Sequence, residues 1–420
     1  VNTCGFIESA KKESIEAVIS QKAAHPGAKV LVAGCLSQRY AAELAGDLAE
    51  ADGIVGNADP EAVVAAAEAA AAGSRPVVAV PAPALVAGTT RPRGIARKRL
   101  FDYPGTAHVK ITEGCSNGCA YCAIPLIRGG LRSRPVDEVL EECRELLARG
   151  IRELVFIGQD LGSYGREIAR DLAREFAGDA ALSASVADGP SLLPDLLRRL
   201  SAEAGDFRAR IMYIHPDNFP EAILPVMAAD PRLLPYFDIP FQHASERILR
   251  AMNRRGSPEA YLGLVSRIRK ALPDAALRST FLLGFPGETD EDLGELLAFQ
   301  EEARLDWAGT FAFSREEGTA AYAMRARPAK KLVLGRIAAV EEVQSRITRE
   351  RLQRFVGRDL DVLVEERLEG ESLSIGRAWN QAPDVDGLTV LHGEHESGTI
   401  VRARVEAVNG VDFEAVPAAR

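Results

Sequence analysis

Glu113-Gly114-Cys115-Ser116-Asn117-Gly118-Cys119-Ala120-Tyr121-Cys122 gathers three of the chain's six cysteines into eight residues, with three and then two residues between them. Six cysteines scattered over 420 residues would give that spacing by chance about once in a thousand chains. Three thiolates on a glycine-broken loop can converge on one metal centre. A structural zinc site or a ferredoxin-type cluster wants a fourth ligand, and none follows nearby. Three cysteines on a four-iron cluster leave one iron open to a small molecule, which is a catalytic arrangement. The alternatives are a zinc site or an adventitious group of buried thiols.

Working outward, residues 1–75 read as an α/β unit. A helix over Ser9–Gln21 carries Ile15, Val18 and Ile19 on one face. Lys29–Cys35 and Gly53–Gly56 read as short buried strands, and Pro60–Ala72 as an alanine-rich helix. Such alternation implies a parallel sheet whose ligands bind beyond the strand C-termini. Cys4 and Cys35 fall at two such ends. The chain opens on Val1, inside what reads as an element, so upstream sequence is expected.

Residues 76–106 carry five prolines with Arg91, Arg93, Arg97, Lys98 and Arg99, the composition of a linker. From about Ala107, six strand candidates alternate with helical segments: His108–Ile111, Glu153–Ile157, Arg210–Tyr213, Tyr236–Pro240, Leu277–Leu283 and Trp307–Phe313. They predict an open (β/α)6 partial barrel, with function at the strand C-terminal ends. Residues 166–200 read as an excursion inserted after the second strand. A charged helix, Leu332 to about Arg354, then leads into four or five short strands suited to a small barrel. Cys143 lies in the apolar stripe of its helix and reads as core.

Several residues sit at the rim these strands define. Gly158-Gln159-Asp160 ends the second strand, as a cofactor contact or as a turn with a helix cap. Gly284 to Glu288 makes a turn after another strand, with Thr289 and Asp292 able to cap the next helix. Arg128, Arg132 and Arg134 follow the cysteine loop and are candidates to meet a carboxylate or a cluster's charge. His215 and His243 also lie at strand ends, and neither is assigned an acid–base role.

The cysteine loop, with Tyr121 before its last cysteine, resembles the signature of radical S-adenosylmethionine (SAM) enzymes. The resemblance implies a four-iron, four-sulfur (4Fe-4S) cluster on Cys115, Cys119 and Cys122. SAM chelates its open iron and is cleaved to a radical that abstracts hydrogen. It also implies cofactor-binding roles for Gln159, Asp160, Arg134, Gly284 and Glu288. Asn2-Thr3-Cys4-Gly5-Phe6 and Gly34-Cys35-Leu36 resemble the second and third cysteine motifs of the methylthiotransferase N-terminal domain. That implies an auxiliary 4Fe-4S cluster on Cys4, Cys35 and a third cysteine upstream, so the chain reads as N-terminally truncated. The C-terminal strands resemble a TRAM domain. The organisation expected is then a methylthiotransferase N-terminal domain over 1–75, a linker over 76–106, a radical SAM domain over 107–350 and a TRAM barrel over 351–420.

Two branches of the methylthiotransferase family compete, one modifying an adenosine of tRNA and one an aspartate of small-subunit ribosomal protein uS12. Asp238–Ser245, Arg278–Phe281 and Ile375–Arg377 with Ala382–Gly387 resemble the second. Charge argues the same way. Leu352–Arg420 holds seven arginines and no lysine against thirteen acidic residues, a net of −6. Such a module repels phosphates and suits a basic protein, with Glu365, Glu366, Glu369 and Glu371 as candidate acidic contacts. The expected partners are uS12, free or in the assembled small subunit, and a reducing electron donor. A less favoured reading is a non-catalytic iron–sulfur electron carrier. Net charge over the whole chain is −9, which disfavours bulk binding of DNA or other nucleic acid. No apolar run reaches the ~18 residues of a membrane span, and no signal-peptide pattern opens the chain. A cytoplasmic location is therefore expected.

Overall fold

The computed structural model describes residues 1–57, 62–78, 97, 99–169 and 189–418. Arg91, Arg93 and Lys98 of the expected linker, and most of the excursion after the second strand, lie outside the described residues. The chain divides into two compact units. The first takes Val1–Arg91 together with Glu113–Arg132 and Phe313–Ala326, and the second holds the remainder.

In the first unit, strands β1 (Asn2–Thr3), β2 (Leu31–Gly34), β3 (Gly53–Val55) and β4 (Val77–Val78) form a parallel sheet in that order. Val18 of the helix Glu8–Ala24 packs with Val32, Leu36, Leu44 and Ile54 to make its core. Ile19, expected beside Val18, is instead 43% exposed, because it turns past the edge of the face that Ile15 and Val18 share. Asp52 ties the start of β2 to that helix. It accepts from Val30 N at 2.9 Å and pairs with Lys22 and Lys29.

The second unit is built on six parallel strands. After β5 (Thr106–Lys110), the two-residue strands β6 (Thr112–Glu113) and β7 (Arg132–Ser133) flank the cysteine loop. Then come β8 (Glu153–Ile157), β9 (Arg208–Ile211), β10 (Leu233–Asp238), β11 (Ala276–Leu283) and β12 (Trp307–Ala312). Their order, β12-β11-β10-β9-β8-β5, is an open sheet without a closing pair among the described residues. This is the partial barrel expected of the radical SAM fold. Two of the helices start where the sequence supplies side-chain caps. Ser257 Oγ accepts from Ala260 N ahead of Pro258–Ala271, and Thr289 with Asp292 forms a reciprocal capping box on Asp290–Ala303.

Side chains alternate across this sheet. Leu154, Phe156, Ile211, Phe237 and Leu277 join the helix-side core. Val155, Met212, Leu234, Tyr236 and Ala276 point to the other face. There they meet Leu352, Phe355, Leu360, Ala378, Val405 and Phe413 of the C-terminal region. That region is a closed barrel of β13 (Asp359–Leu368), β14 (Leu373–Ala378), β15 (Thr389–His392), β16 (Ile400–Asn409) and β17 (Asp412–Pro417). Sheet and barrel thus share one core. Trp307 Nε1 adds a hydrogen bond to Asn380 O at 2.9 Å across it.

Candidate metal centres and strand-end site

The cysteine loop of the first unit is laced by its own return segment. Cys115 N donates to Gly129 O at 3.1 Å and Leu131 N donates to Ser116 Oγ at 3.0 Å. Gly114 has φ +74°, and a Cβ there would lie 2.2 Å from Gly130 O, so the turn into Cys115 requires glycine. Cys122 N closes a turn on Cys119 O at 3.1 Å, and Ala321 N holds Ala120 O at 2.8 Å. The three cysteines form no disulfide and are half-buried.

Among the described residues no three His, Cys, Asp or Glu side chains form a ready-made site for a single ion. A four-iron cluster makes a different demand, because each thiolate binds its own iron and the sulfurs stand farther apart than ligands of one ion. Three thiols outside any disulfide, on a backbone-fixed loop, fit that donor chemistry, and no fourth is needed where one iron stays open.

Cys4 and Cys35 end adjacent strands, with Thr3 in register with Gly34. The two loops touch closely enough that a Cβ on Gly5 would sit 2.7 Å from Cys35 O. Cys4 is exposed, while Cys35 is partly buried and accepts hydrogen bonds from Arg128 Nη2 at 3.2 Å and Asn57 Nδ2 at 3.3 Å. Arg132 lies in the same unit, and burial and the nearby Glu113 act on it in opposite senses. Cys143, in the second unit, is fully buried in the helix-side core, and burial pushes its thiol up to about 12. It is inert packing.

At the strand ends of the second unit, the expected cofactor contacts divide. Asp160 is spent on local structure. It accepts from Gly162 N, Ser163 Oγ, His215 N and Asn218 Nδ2 at 2.7–3.1 Å, which is the helix-cap role. Gln159 keeps capacity, since its buried Oε1 has no protein partner. Gly158 lets β8 approach Thr112, whose Oγ1 would lie 2.0 Å from a Cβ.

Arg134, expected to meet the cofactor, serves as a strut. Its terminal nitrogens bind Glu142 and the carbonyls of Lys110 and Glu138. Gly284 has φ +79° against Val333, and Glu288 closes the turn by accepting from Gly284 N at 2.8 Å and pairing with Arg336 at 2.7 Å. Burial raises the Glu288 carboxyl against the pull of Arg336 and these amides. His243 Nδ1 accepts from the amides of Ala244 and Ser245, and burial holds the ring neutral, with its pKa lowered to about 4. Burial and Arg254 likewise lower His215 to about 4. Tyr213 and Gln242, beyond β9 and β10, take φ of 63° and 69°, a strained backbone at this rim.

Sequence reasoning missed two buried charge networks between sheet and barrel. Glu153 meets Arg208 at 2.6 Å, Arg210 at 2.9 Å and Arg377 at 3.4 Å. Burial would raise Glu153, but Arg208, Arg377 and Arg210 prevail and hold it well below the usual range. Beside it, Arg278 pairs with Asp238 at 3.1 Å and lies 3.5 Å from Asp386, which accepts from Tyr236 Oη at 2.6 Å. Burial pushes Asp386 up to about 6. The signal was Arg208-Ala209-Arg210, two arginines on one face of a strand otherwise apolar. Glu365, expected among the free acidic contacts, is instead bound by Arg377 with its side chain 8% exposed. Glu366, Glu369 and Glu371 are exposed.

Three stretches of the chain match known families. Residues 109–299 match the radical SAM superfamily, 356–417 the TRAM domain, and 1–56 the uncharacterized protein family UPF0004. The ribosomal protein uS12 methylthiotransferase RimO of Treponema denticola is 43% identical over 446 aligned positions, covering 99% of this chain and 91% of its own. The RimO of Thermotoga maritima is 38% identical, covering 98% and 89%. Among solved structures, the radical SAM methyltransferase TsrM of Kitasatospora setae, with cobalamin and a [4Fe-4S] cluster bound, superposes with a TM-score of 0.50 at 18% identity. The match covers 74% of this chain and 61% of that one. That likeness is one of fold.

Proposed function

The chain belongs to the RimO family of radical SAM methylthiotransferases, and from that premise we infer that it places a methylthio group on the β-carbon of an aspartate in ribosomal protein uS12. The observation that carries this is identity of 43% to the Treponema relative across 99% of the chain, all three matched regions included.

Cys115, Cys119 and Cys122 would hold the 4Fe-4S cluster, which when bound supplies with SAM the one-electron chemistry that an unactivated C–H bond demands. The chain's own residues orient and enclose. Gly114 and the return segment Gly129–Leu131 fix where the three thiols stand. Gln159, with its spare buried acceptor, is the rim residue suited to a donor on SAM, and the Gly284–Glu288 turn ends another strand of the same sheet. Burial lowers His215 and His243 to about 4, so each is a weak proton acceptor, poorly suited to strip an unactivated β-proton. Cys4 and Cys35 would contribute to an auxiliary cluster. The net −6 of the barrel, with Glu366, Glu369 and Glu371 facing solvent, supports a basic protein partner over tRNA.

The test is anaerobic incubation of the reconstituted full-length protein with SAM, a low-potential reductant and unmodified small subunits, read by mass spectrometry of uS12. A single SCH3-for-H replacement at one aspartate is expected, and Cys115→Ala should abolish it together with 5′-deoxyadenosine release. Modification of tRNA adenosine with uS12 untouched would overturn the assignment.

A further inference from the structure

One side chain, that of Arg128, joins Cys35 to the entry of the cysteine loop. Arg128, six residues past Cys122, extends Nη1 to Glu113 Oε1 at 2.6 Å and Nη2 to Cys35 Sγ at 3.2 Å. Glu113 stands two residues before Cys115, so the guanidinium bridges the entry of one metal-binding segment and the sulfur of the other. Asn57 Nδ2 donates to the same sulfur at 3.3 Å from a third segment. Glu113 is largely buried, and its carboxylate gives Arg128 an anchor that a solvated arginine lacks. A planar fork with one prong on a carboxylate has its other prong aimed, so the contact to sulfur is a directed one.

A hydrogen bond from a cation to a ligating sulfur favours the more negative state of a cluster, because reduction adds charge that the donor stabilises. A neutral amide donor acts in the same sense and more weakly.

We propose that Arg128, oriented by Glu113 and seconded by Asn57, is the positioning residue that holds Cys35 and biases an auxiliary cluster on it toward its reduced state. The proposal rests on the reading of Cys35 as a cluster ligand, and its test separates the two. The full-length protein is reconstituted anaerobically and titrated with dithionite under electron paramagnetic resonance, with Cys35→Ala identifying the signal that depends on Cys35. In Arg128→Met the reduced-to-oxidised ratio of that signal at fixed potential should fall about tenfold, equivalent to ~59 mV for a one-electron couple. Asn57→Ala should lower the ratio in the same direction by a smaller factor, about threefold. Arg128→Lys, which keeps the charge but not the fork, should fall between wild type and Arg128→Met. Merely structural support would change iron content without moving the ratio. If Cys35→Ala abolishes no signal, the ligand reading fails. If it abolishes one and Arg128→Met leaves the ratio unchanged, the role of Arg128 is overturned while the ligand reading stands. Should Arg128→Met not retain iron, an unchanged ratio in both Arg128→Lys and Asn57→Ala overturns it equally.

Discussion

Replacing Glu153 by glutamine keeps the shape of the side chain and removes its charge from a site where that charge answers three arginines. The Glu153 side chain is fully buried, and so is that of Arg210, while those of Arg208 and Arg377 are 6% and 3% exposed. Glutamine retains one acceptor oxygen. It turns the other into a donor facing Arg208 Nε, 2.8 Å away in the wild type. Glu365, on Arg377, is then the carboxylate left beside three cations. Breaking a buried pair from one side costs about 3–5 kcal/mol. At roughly 2–4 °C per kcal/mol for a domain of this size, Tm should fall by ~6–20 °C. The chain's two tryptophans report on the place concerned, since Trp307 and Trp379 both sit where sheet meets barrel. Urea unfolding followed by their fluorescence is therefore the assay, with the midpoint expected to drop at unchanged slope. The pH dependence has a definite sign. A carboxyl held below its usual value contributes stability above the usual carboxylate range, lost as pH falls through it. Wild type should therefore lose more stability than Glu153→Gln on acidification below pH ~4.5. A Glu153→Gln protein as stable as wild type at neutral pH would refute the idea that the carboxylate offsets the buried arginines.

Gly114→Ala should leave the second unit folded and yet impair the cysteine loop, because a Cβ 2.2 Å from Gly130 O forces the turn open. Reconstitution should give less cluster absorbance and slower 5′-deoxyadenosine release, on the order of tenfold for ~1–2 kcal/mol of backbone strain, and wild-type values of both would refute it. Asp386→Asn addresses the opposite kind of carboxyl. A group raised from 3.8 to about 6 loses stability for the fold as pH rises through that window, so the variant should gain on wild type by ~3 kcal/mol between acid and neutral pH in urea titrations; no gain on crossing the window would sink the reading. Reversing Glu366, Glu369 and Glu371 to lysine, with Glu365 left alone because Arg377 needs it, should slow association with uS12 and flatten its salt dependence, measured by stopped-flow. Unchanged association would remove the barrel's charge from substrate choice.

The fold was legible because its signals are local. Glu153–Ile157 reads as a strand from five adjacent residues, and the capping box of Thr289 and Asp292 from four. The cysteine loop was legible for the same reason. What escaped depends on residues far apart in the chain. Nothing near Arg208-Ala209-Arg210 says that Arg377 will arrive from 167 residues away to share Glu153. The strand reads instead as having one wet face. Nor does the sequence around Arg134 and Asp160 name their protein partners, Glu142 and the Ser163 hydroxyl among them, since it points only to a cofactor or a helix cap. Cys35 and Arg128 stand 93 residues apart, so their contact had no trace in sequence.

The shared core of sheet and barrel bears on how such enzymes can diverge. A reader domain on a flexible tether can be traded for another without consulting its host. This one is not so separable, because Arg377 and Asp386 from the barrel join the buried charge networks of Glu153 and Arg278 on the catalytic sheet. A chimaera given a foreign barrel loses one member from each of two buried charge networks in a dry interface, leaving Glu153 to Arg208 and Arg210 and Arg278 to Asp238 alone. New substrate preference must then arise by editing the barrel's outer surface in place, or by rewriting the strands beneath it at the same time.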